Sequence, residues 1–256
     1  MKSALIALLA FCLCWGVGCS KNLSEFEETK ALAEKGDAFA QSNLGYMYHT
    51  GSGVPQDFEE AVRWYRKAAE QGDVYAQYNL GYMYYNGEGV PQDFKEAVRW
   101  YRKAADQRHA KAQHNLGVMY QEGQGVLADE KEAMKWYRKA AEQGDVYAQY
   151  NLGWMYDNGE GVLEDDKEAV KWYRKAAEQG NVDAQYNLGV MYEDGEGVLE
   201  DYATAYTWIN IAAANGHETA KQNKPIITKK MTPEQIAEAE KLAKEMIKKN
   251  PKLLNK

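Results

Sequence analysis

The sequence predicts an all-α chain, built as a solenoid of helix–turn–helix units stacked one on the next. Three observations carry that expectation. A Leu-Gly pair falls at Leu44-Gly45, Leu80-Gly81, Leu116-Gly117, Leu152-Gly153 and Leu188-Gly189, advancing by 36 residues without a slip. A tryptophan advances by the same 36, at Trp64, Trp100, Trp136, Trp172 and Trp208. Within each interval the apolar residues recur at helical spacing. A period in the thirties marks units that bury their apolar faces only against neighbours.

Each element of the unit follows from its residues. In the copy from Asp73 to Arg108, Ala76, Leu80, Met83 and Tyr84 define a first helix. Asn86-Gly87-Glu88-Gly89 ends it, because glycine takes the left-handed conformation that closes a helix. Val90-Pro91 keeps the connection extended. Asp93 caps the second helix, and Glu96 three residues on completes a capping-box pattern. Ala97, Trp100, Tyr101, Ala104 and Ala105 are its buried stripe, and Gly72 or its equivalents Gly36, Gly144, Gly180 and Gly216 close it. Gly81 and Ala97 are small where paired helices must approach closely. Arg99, Arg102 and Lys103 lie off the stripe and read as a solvated outer face with weak helical ion pairs. Arg108-His109 stands where other units have Gly followed by Asp or Asn, so that joint is expected to differ.

These residues resemble the Sel-one-like repeat family, a relative of the tetratricopeptide repeat. The match runs through Ala76, Leu80, Gly81, Tyr84, Gly87, Gly89, Val90, Asp93, Ala97, Trp100, Ala104 and Ala105, recurs in four other units, and covers about residues 24–250. The resemblance implies a right-handed superhelical α/α solenoid that binds protein segments rather than catalysing a reaction. It divides the chain into a capping half-repeat at 24–36, five repeats over 37–216 and a C-terminal capping region at 217–256. In that last region a short helix is expected to break near Pro225. Thr232-Pro233-Glu234-Gln235 then starts a closing helix that runs to about Lys248. The paired cysteines of a disulfide-stapled branch of the family are absent, so stability must come from packing.

The beginning of the chain reads as an address. Met1 to Gly18 has one lysine, Lys2, before a short apolar run and small residues at Gly16 and Gly18, the layout of a signal peptide. Gly16-Val17-Gly18-Cys19 resembles the lipobox of bacterial lipoproteins, which implies lipidation at Cys19, a spacer over 19–23 and a place in the bacterial cell envelope facing the periplasm. The alternative is an ordinary signal peptide cut before Cys19, leaving a soluble periplasmic or secreted protein. The cysteines are Cys12, Cys14 and Cys19, so no thiol lies in the body of the repeats.

Charge narrows the partners. The chain has 31 basic and 38 acidic residues, net −7, and its last stretch from Lys221 to Lys256 holds ten Lys against four Glu. An acidic body argues against nucleic acid, which demands clustered Lys and Arg. The expected partner is a protein or peptide, with membrane contact only through the N-terminal lipid, and the chain itself is expected to be a monomer. No metal or other cofactor is expected. The four histidines lack metal-ligand spacing, no Ser is followed three residues on by Lys, and the Gly-Glu-Gly turns lack the lysine of a phosphate loop.

In tetratricopeptide-like solenoids the first helix of each unit lines the concave face. The corresponding positions here form a candidate groove of Phe39, Asn43, Tyr46, Tyr75, Tyr78, Asn79, Tyr82, Tyr85, His114, Asn115, Tyr147, Tyr150, Asn151, Trp154, Tyr186 and Asn187. Aromatic rings supply rigid contact area, and Asn amides can pair with a ligand's backbone. The recurring glutamines, Gln41, Gln77, Gln113, Gln149 and Gln185, read instead as bridges between adjacent helices, and the asparagines fit either role. Two functions remain open: an envelope-tethered adaptor, or a periplasmic immunity-type protein that neutralises one toxin or enzyme.

Overall fold

The computed structural model describes residues 24–254. The expectations for 1–18, Cys19 and the spacer lie outside the described residues. Within them the chain is all helical: α1 (Glu25–Glu34), α2 (Ala38–Thr50), α3 (Phe58–Glu70), α4 (Val74–Asn86), α5 (Phe94–Asp106), α6 (Ala110–Glu122), α7 (Glu130–Glu142), α8 (Val146–Asn158), α9 (Asp166–Glu178), α10 (Val182–Asp194), α11 (Tyr202–Ala214), α12 (Glu218–Ile227) and α13 (Pro233–Lys249), with short 3₁₀ turns at Thr228–Lys230 and Pro251–Leu253. Helices α2 to α11 make five pairs, each packed on the pair before it.

Capping chemistry sets the boundaries. The first helices begin at Asp37, Asp73, Asp145 and Asn181, whose side chains accept the backbone N–H three residues on. They end at Gly51, Gly87, Gly123, Gly159 and Gly195, all at positive φ. The second helices begin at Asp57, Asp93, Asp129, Asp165 and Asp201. Here the capping box expected from Asp93 and Glu96 is only half made. The Asp93 carboxylate accepts the Glu96 N–H at 3.1 Å. The Asp93 N–H, however, already donates to Tyr84 O at the end of α4. Glu96 therefore turns outward to Arg99 and to the Trp100 indole N–H, at 2.9 and 3.1 Å.

The core is the face between paired helices. Tyr65, Tyr101, Tyr137 and Tyr173 are fully buried, each against the Leu-Gly glycine of its own unit. A Cβ on Gly81 would lie 2.7 Å from the Tyr101 ring, and Gly45, Gly117 and Gly153 meet their tyrosines at 2.6–2.7 Å. In the fifth unit Ile209 replaces the tyrosine against Gly189.

Between units, Arg66, Arg102, Arg138 and Arg174 donate to the hydroxyls of Tyr84, Tyr120, Tyr156 and Tyr192 in the next first helix. Lys67, Lys103, Lys139 and Lys175 lie 3.8–4.1 Å over the rings of the neighbouring tryptophans. The outer basic residues thus include ion pairs such as Arg99–Glu96, but Arg102 and Lys103 cover aromatic surface rather than standing free in water.

Two stretches depart from expectation. At Arg108-His109 the joint is preserved: Arg108 takes φ 66°, the left-handed region its glycine equivalents occupy, and His109 Nδ1 accepts the Ala112 N–H at 3.2 Å as the cap of α6. Pro225 lies inside the helix rather than ending it at once. It sits in the last turn of α12, which stops two residues on at Ile227, and its missing N–H forgoes a single bond to the carbonyl four residues earlier. Because His217 caps α12 and Ala220 is buried, α12 is the first helix of a sixth, unfinished unit. The cap α13 then packs on α11 through Ala239 and Ala243, after a capping box formed by Thr232 and Gln235.

Gly81→Ala should destabilise the fold by roughly 1–3 kcal/mol, because the new methyl meets a ring with no room to retreat. Arg108→Gly should stabilise it by about 1 kcal/mol, by removing a left-handed side-chain clash. Urea-denaturation midpoints read both signs.

Candidate functional site

The first helices present their aromatic residues on one side of the stack, in two tiers. Phe39, Tyr75 and Tyr147 stand at the start of α2, α4 and α8 and are 68, 63 and 65% exposed. Tyr46 and Tyr82, one turn before the helix ends, are also exposed, and Trp154 at the same position of α8 is half-buried. Tyr78, Tyr85, His114, Tyr150 and Tyr186 are half-buried between them. Ring contacts run both within units and from one unit to the next. Tyr78 lies 4.7 Å from His109 and 5.8 Å from Tyr101. His114 lies 6.0 Å from Tyr147, Tyr150 is 5.9 Å from Tyr173, and Tyr186 stacks on His217 at 4.5 Å.

Behind these rings the asparagines are engaged in joining units. Asn115 faces the hydroxyls of Tyr78 and Tyr101 and favours their ionised form, and its Oδ1 lies 3.3 Å from His114 Nδ1. Asn187 faces Tyr150 and Tyr173 in the same way. Asn151 reaches Tyr137 and lies 3.4 Å from His114 Nε2. Asn223, one period beyond Asn187, donates to Tyr186 at 2.7 Å. Burial raises the hydroxyl pKa of Tyr78, Tyr150 and Tyr186, with the asparagine amides opposing it. These phenols are therefore neutral donors at ordinary pH. Asn43, in the first unit, is exposed.

The glutamines are buried and paired. Gln77 Nε2 donates to Ala69 O of the preceding unit at 3.1 Å, and its Oε1 accepts from Gln107 at 2.8 Å.

Between α4 and α6 lies a cavity of about 200 Å³ lined by Tyr82, Tyr85, Asn86, Tyr101, Asn115 and Val118. It unites three of the predicted groove residues with Tyr101, which sequence reasoning assigned to the core, and with Val118. The groove also contains His109 and His217, which the sequence reading left out. Their signal was present: each occupies the cap position of a first helix, one period from Asp73 and Asn181. Among the described residues no cluster of three His, Cys, Asp or Glu is arranged to hold a metal, and no helix is long and apolar enough to cross a membrane.

The Sel1 repeat family model matches residues 38–73, 74–109, 110–145, 146–181 and 182–217. Among solved structures, the chain is 40% identical to a protective antigen present in uropathogenic Escherichia coli strains that displays an SLR fold. The TM-score is 0.79, over 88% of this chain and 49% of that one. It is 39% identical to a Sel1 repeat protein from Oxalobacter formigenes, with a TM-score of 0.73 over 86% of this chain and 95% of that one. The chain thus spans about half the length of the Escherichia coli protein. No curated protein matches it.

His109, which caps α6, and His114 make this part of the surface responsive to pH. Burial, reinforced by Lys111, lowers the His109 pKa below its ordinary 6.5. Burial likewise lowers that of His114, against the opposing pull of Asp145. With the folded value depressed, the unfolded chain takes up the proton first. The stability from the neutral ring is present in full above about pH 6.5 and is lost as pH falls below it. Protonation also places a cation at the start of α6 and removes the acceptor for Ala112 N–H. His109→Asn keeps an acceptor at every pH. Relative to the parent it should therefore reduce the loss of stability between pH 7 and pH 5 by on the order of 1 kcal/mol, read from urea midpoints at the two pH values.

Proposed function

The chain belongs to the Sel1 repeat family, and from that premise we propose that it is a binding scaffold for an extended protein segment lying along its aromatic tiers. Sel1 repeat proteins are generally interaction scaffolds rather than enzymes. The observation that carries the finer reading is the exposure of Phe39, Tyr75 and Tyr147 at the starts of their helices, together with a cavity at Tyr82, Tyr85 and Asn115 near the helix ends. Exposed rings in a row over a concavity suit recognition by rigid aromatic contact. Tyrosine hydroxyls, neutral at ordinary pH, can donate to a ligand's backbone carbonyls. Asn79, Asn115, Asn151 and Asn187 support the rings more than they meet a ligand, since Asn115 and Asn151 already bond His114 and Asn187 faces Tyr150 and Tyr173.

The leader extends the proposal to location. An exported chain lipidated at Cys19 would hold the first repeat within a few residues of a membrane, with the tiers facing the periplasm. Three acyl chains, as bacterial lipoproteins carry, anchor firmly where one does not.

A photo-crosslinking residue at Tyr82, followed by mass spectrometry from intact cells, tests the binding reading. A discrete envelope protein should be captured, and Tyr46→Ala with Trp154→Ala should reduce its capture roughly tenfold or more. Unchanged capture in that double variant removes the aromatic tiers from the interface. For location, Cys19→Ala should move the protein from the membrane to the soluble fraction. A variant that still sediments with membranes refutes the anchor.

A further inference from the structure

The connections within each unit carry a feature that neither stacking nor the aromatic tiers use. At the position held by Pro55 and Pro91 in the first two units, the last three have Leu127, Leu163 and Leu199. These side chains are 91, 89 and 90% exposed. One exposed leucine is ordinary. Three at one repeat position are not explained by the turn, which proline serves equally well in two units.

The leucines are held in a row. The second glycine of each turn lies against the first turn of the preceding second helix. A Cβ on Gly125 would come within 2.3 Å of Phe94 O, one on Gly161 within 2.7 Å of Glu130 O, and one on Gly197 within 2.4 Å of the Asp166 backbone. The Gly161 N–H also donates to the Glu130 carboxylate at 3.1 Å. Successive connections therefore sit side by side along one edge of the stack.

Negative charge builds up at the last two of these units. Residues 49–59 hold two acids and no Lys or Arg (−2), and 85–95 hold two acids and Lys95 (−1). The windows around the leucines hold three acids with Lys131 (121–131, −2), five with Lys167 (157–167, −4) and five with no base (193–203, −5). Those carboxylates crowd one another. Burial raises the pKa of Asp157 and Glu196, and Asp166 and Glu164 raise both further. Lys230, on the neighbouring 3₁₀ turn, is already paired with Glu193 at 2.8 Å.

We propose that the edge formed by Leu127, Leu163 and Leu199 is a second docking surface, and that its occupant is a cationic partner-protein segment bearing apolar side chains at intervals. The leucines supply contact area, and the surrounding carboxylates select the charge. An anionic lipid surface is repelled by the same carboxylates. The leucines lie on the connections and the tier residues on the first helices, so the two sets of side chains can be varied independently.

The test uses the full chain and a fluorescent synthetic amphipathic helix of leucine and lysine, followed by anisotropy. Two companion peptides replace lysine by glutamate or leucine by serine. The leucine–lysine peptide should bind and both companions should bind far more weakly. Leu127→Ser, Leu163→Ser and Leu199→Ser together should weaken binding roughly tenfold or more, while the melting temperature stays unchanged because the side chains contact little. Tyr46→Ala with Trp154→Ala should leave this binding intact, which separates failure here from failure of the aromatic reading. Equal binding by the triple-serine variant, or by the serine–lysine peptide, overturns the proposal. So does a wild-type dimer in light scattering that the triple variant abolishes, which would assign the leucines to a second copy.

Discussion

Five buried glutamine amides hold the stack in register. Each donates from Nε2 to the carbonyl of an alanine at the end of the preceding second helix: Gln41 to Ala33, Gln77 to Ala69, Gln113 to Ala105, Gln149 to Ala141 and Gln185 to Ala177, at 2.9–3.2 Å. Each accepts at Oε1 from the amide that closes its own unit, Gln71, Gln107, Gln143, Gln179 or Asn215, at 2.6–2.8 Å. Three helices therefore meet at a single side chain with no freedom to slide. Leaving either end of a buried amide unpaired costs about 1–3 kcal/mol, so the penalty for a slipped unit is incurred at every joint. The last rung hands over to the C-terminal cap. Gln185 and Asn215 both donate to Leu253 O, at 3.0 and 2.6 Å, so the chain closes with the same chemistry that stacks it.

That register is what turns five separate helices into a surface. The close Gly–Tyr crossing sets the distance within a unit, and the glutamine relay sets the step between units. The rings of Tyr78, His114, Tyr150 and Tyr186 consequently fall into line. Asn151 and Asn223 reach back from the following unit to His114 and Tyr186, and Asn115 and Asn187 face Tyr78 and Tyr150 from the same place. In the first unit Ser42 stands in place of the ring and bonds Asp73 instead, at 3.0 Å. The Tyr65 hydroxyl behind it finds no partner among the described residues.

Much of this was legible in the sequence, for a physical reason. A repeated unit multiplies every local signal by five, so caps, closing glycines and the apolar stripe stand out above the noise of a single copy. The bridging role of the glutamines was readable for the same reason, since a polar residue on a buried face needs a partner. Legibility failed where the partner is non-local or the chemistry is unusual for its place. The N–H of Asp93 is taken by a carbonyl nine residues earlier, which no helix-start pattern encodes. His109 and His217 cap helices as Asp does, a role imidazole fills less often. The sixth unit was obscured by Pro225, although the register from Ala184 to Ala220 and Asn187 to Asn223 was there to be followed.

The same reasoning separates structural from recognition positions without reference to any ligand. Where all five units agree, as at the glutamines and the Leu-Gly glycines, the structure supplies an internal partner that accounts for the agreement. Such positions carry no information about what is bound. Information lies where neighbouring units face the same environment yet differ: Phe39, Tyr75, Lys111, Tyr147 and Asp183 along one tier, and Tyr46, Tyr82, Val118, Trp154 and Val190 along the next. These differences set ring, aliphatic and charged groups along the length of the stack over helices of one length, which gives the surface a direction. On the proposed binding role, a ligand that follows the tiers would be read in one orientation and one register through those variable side chains.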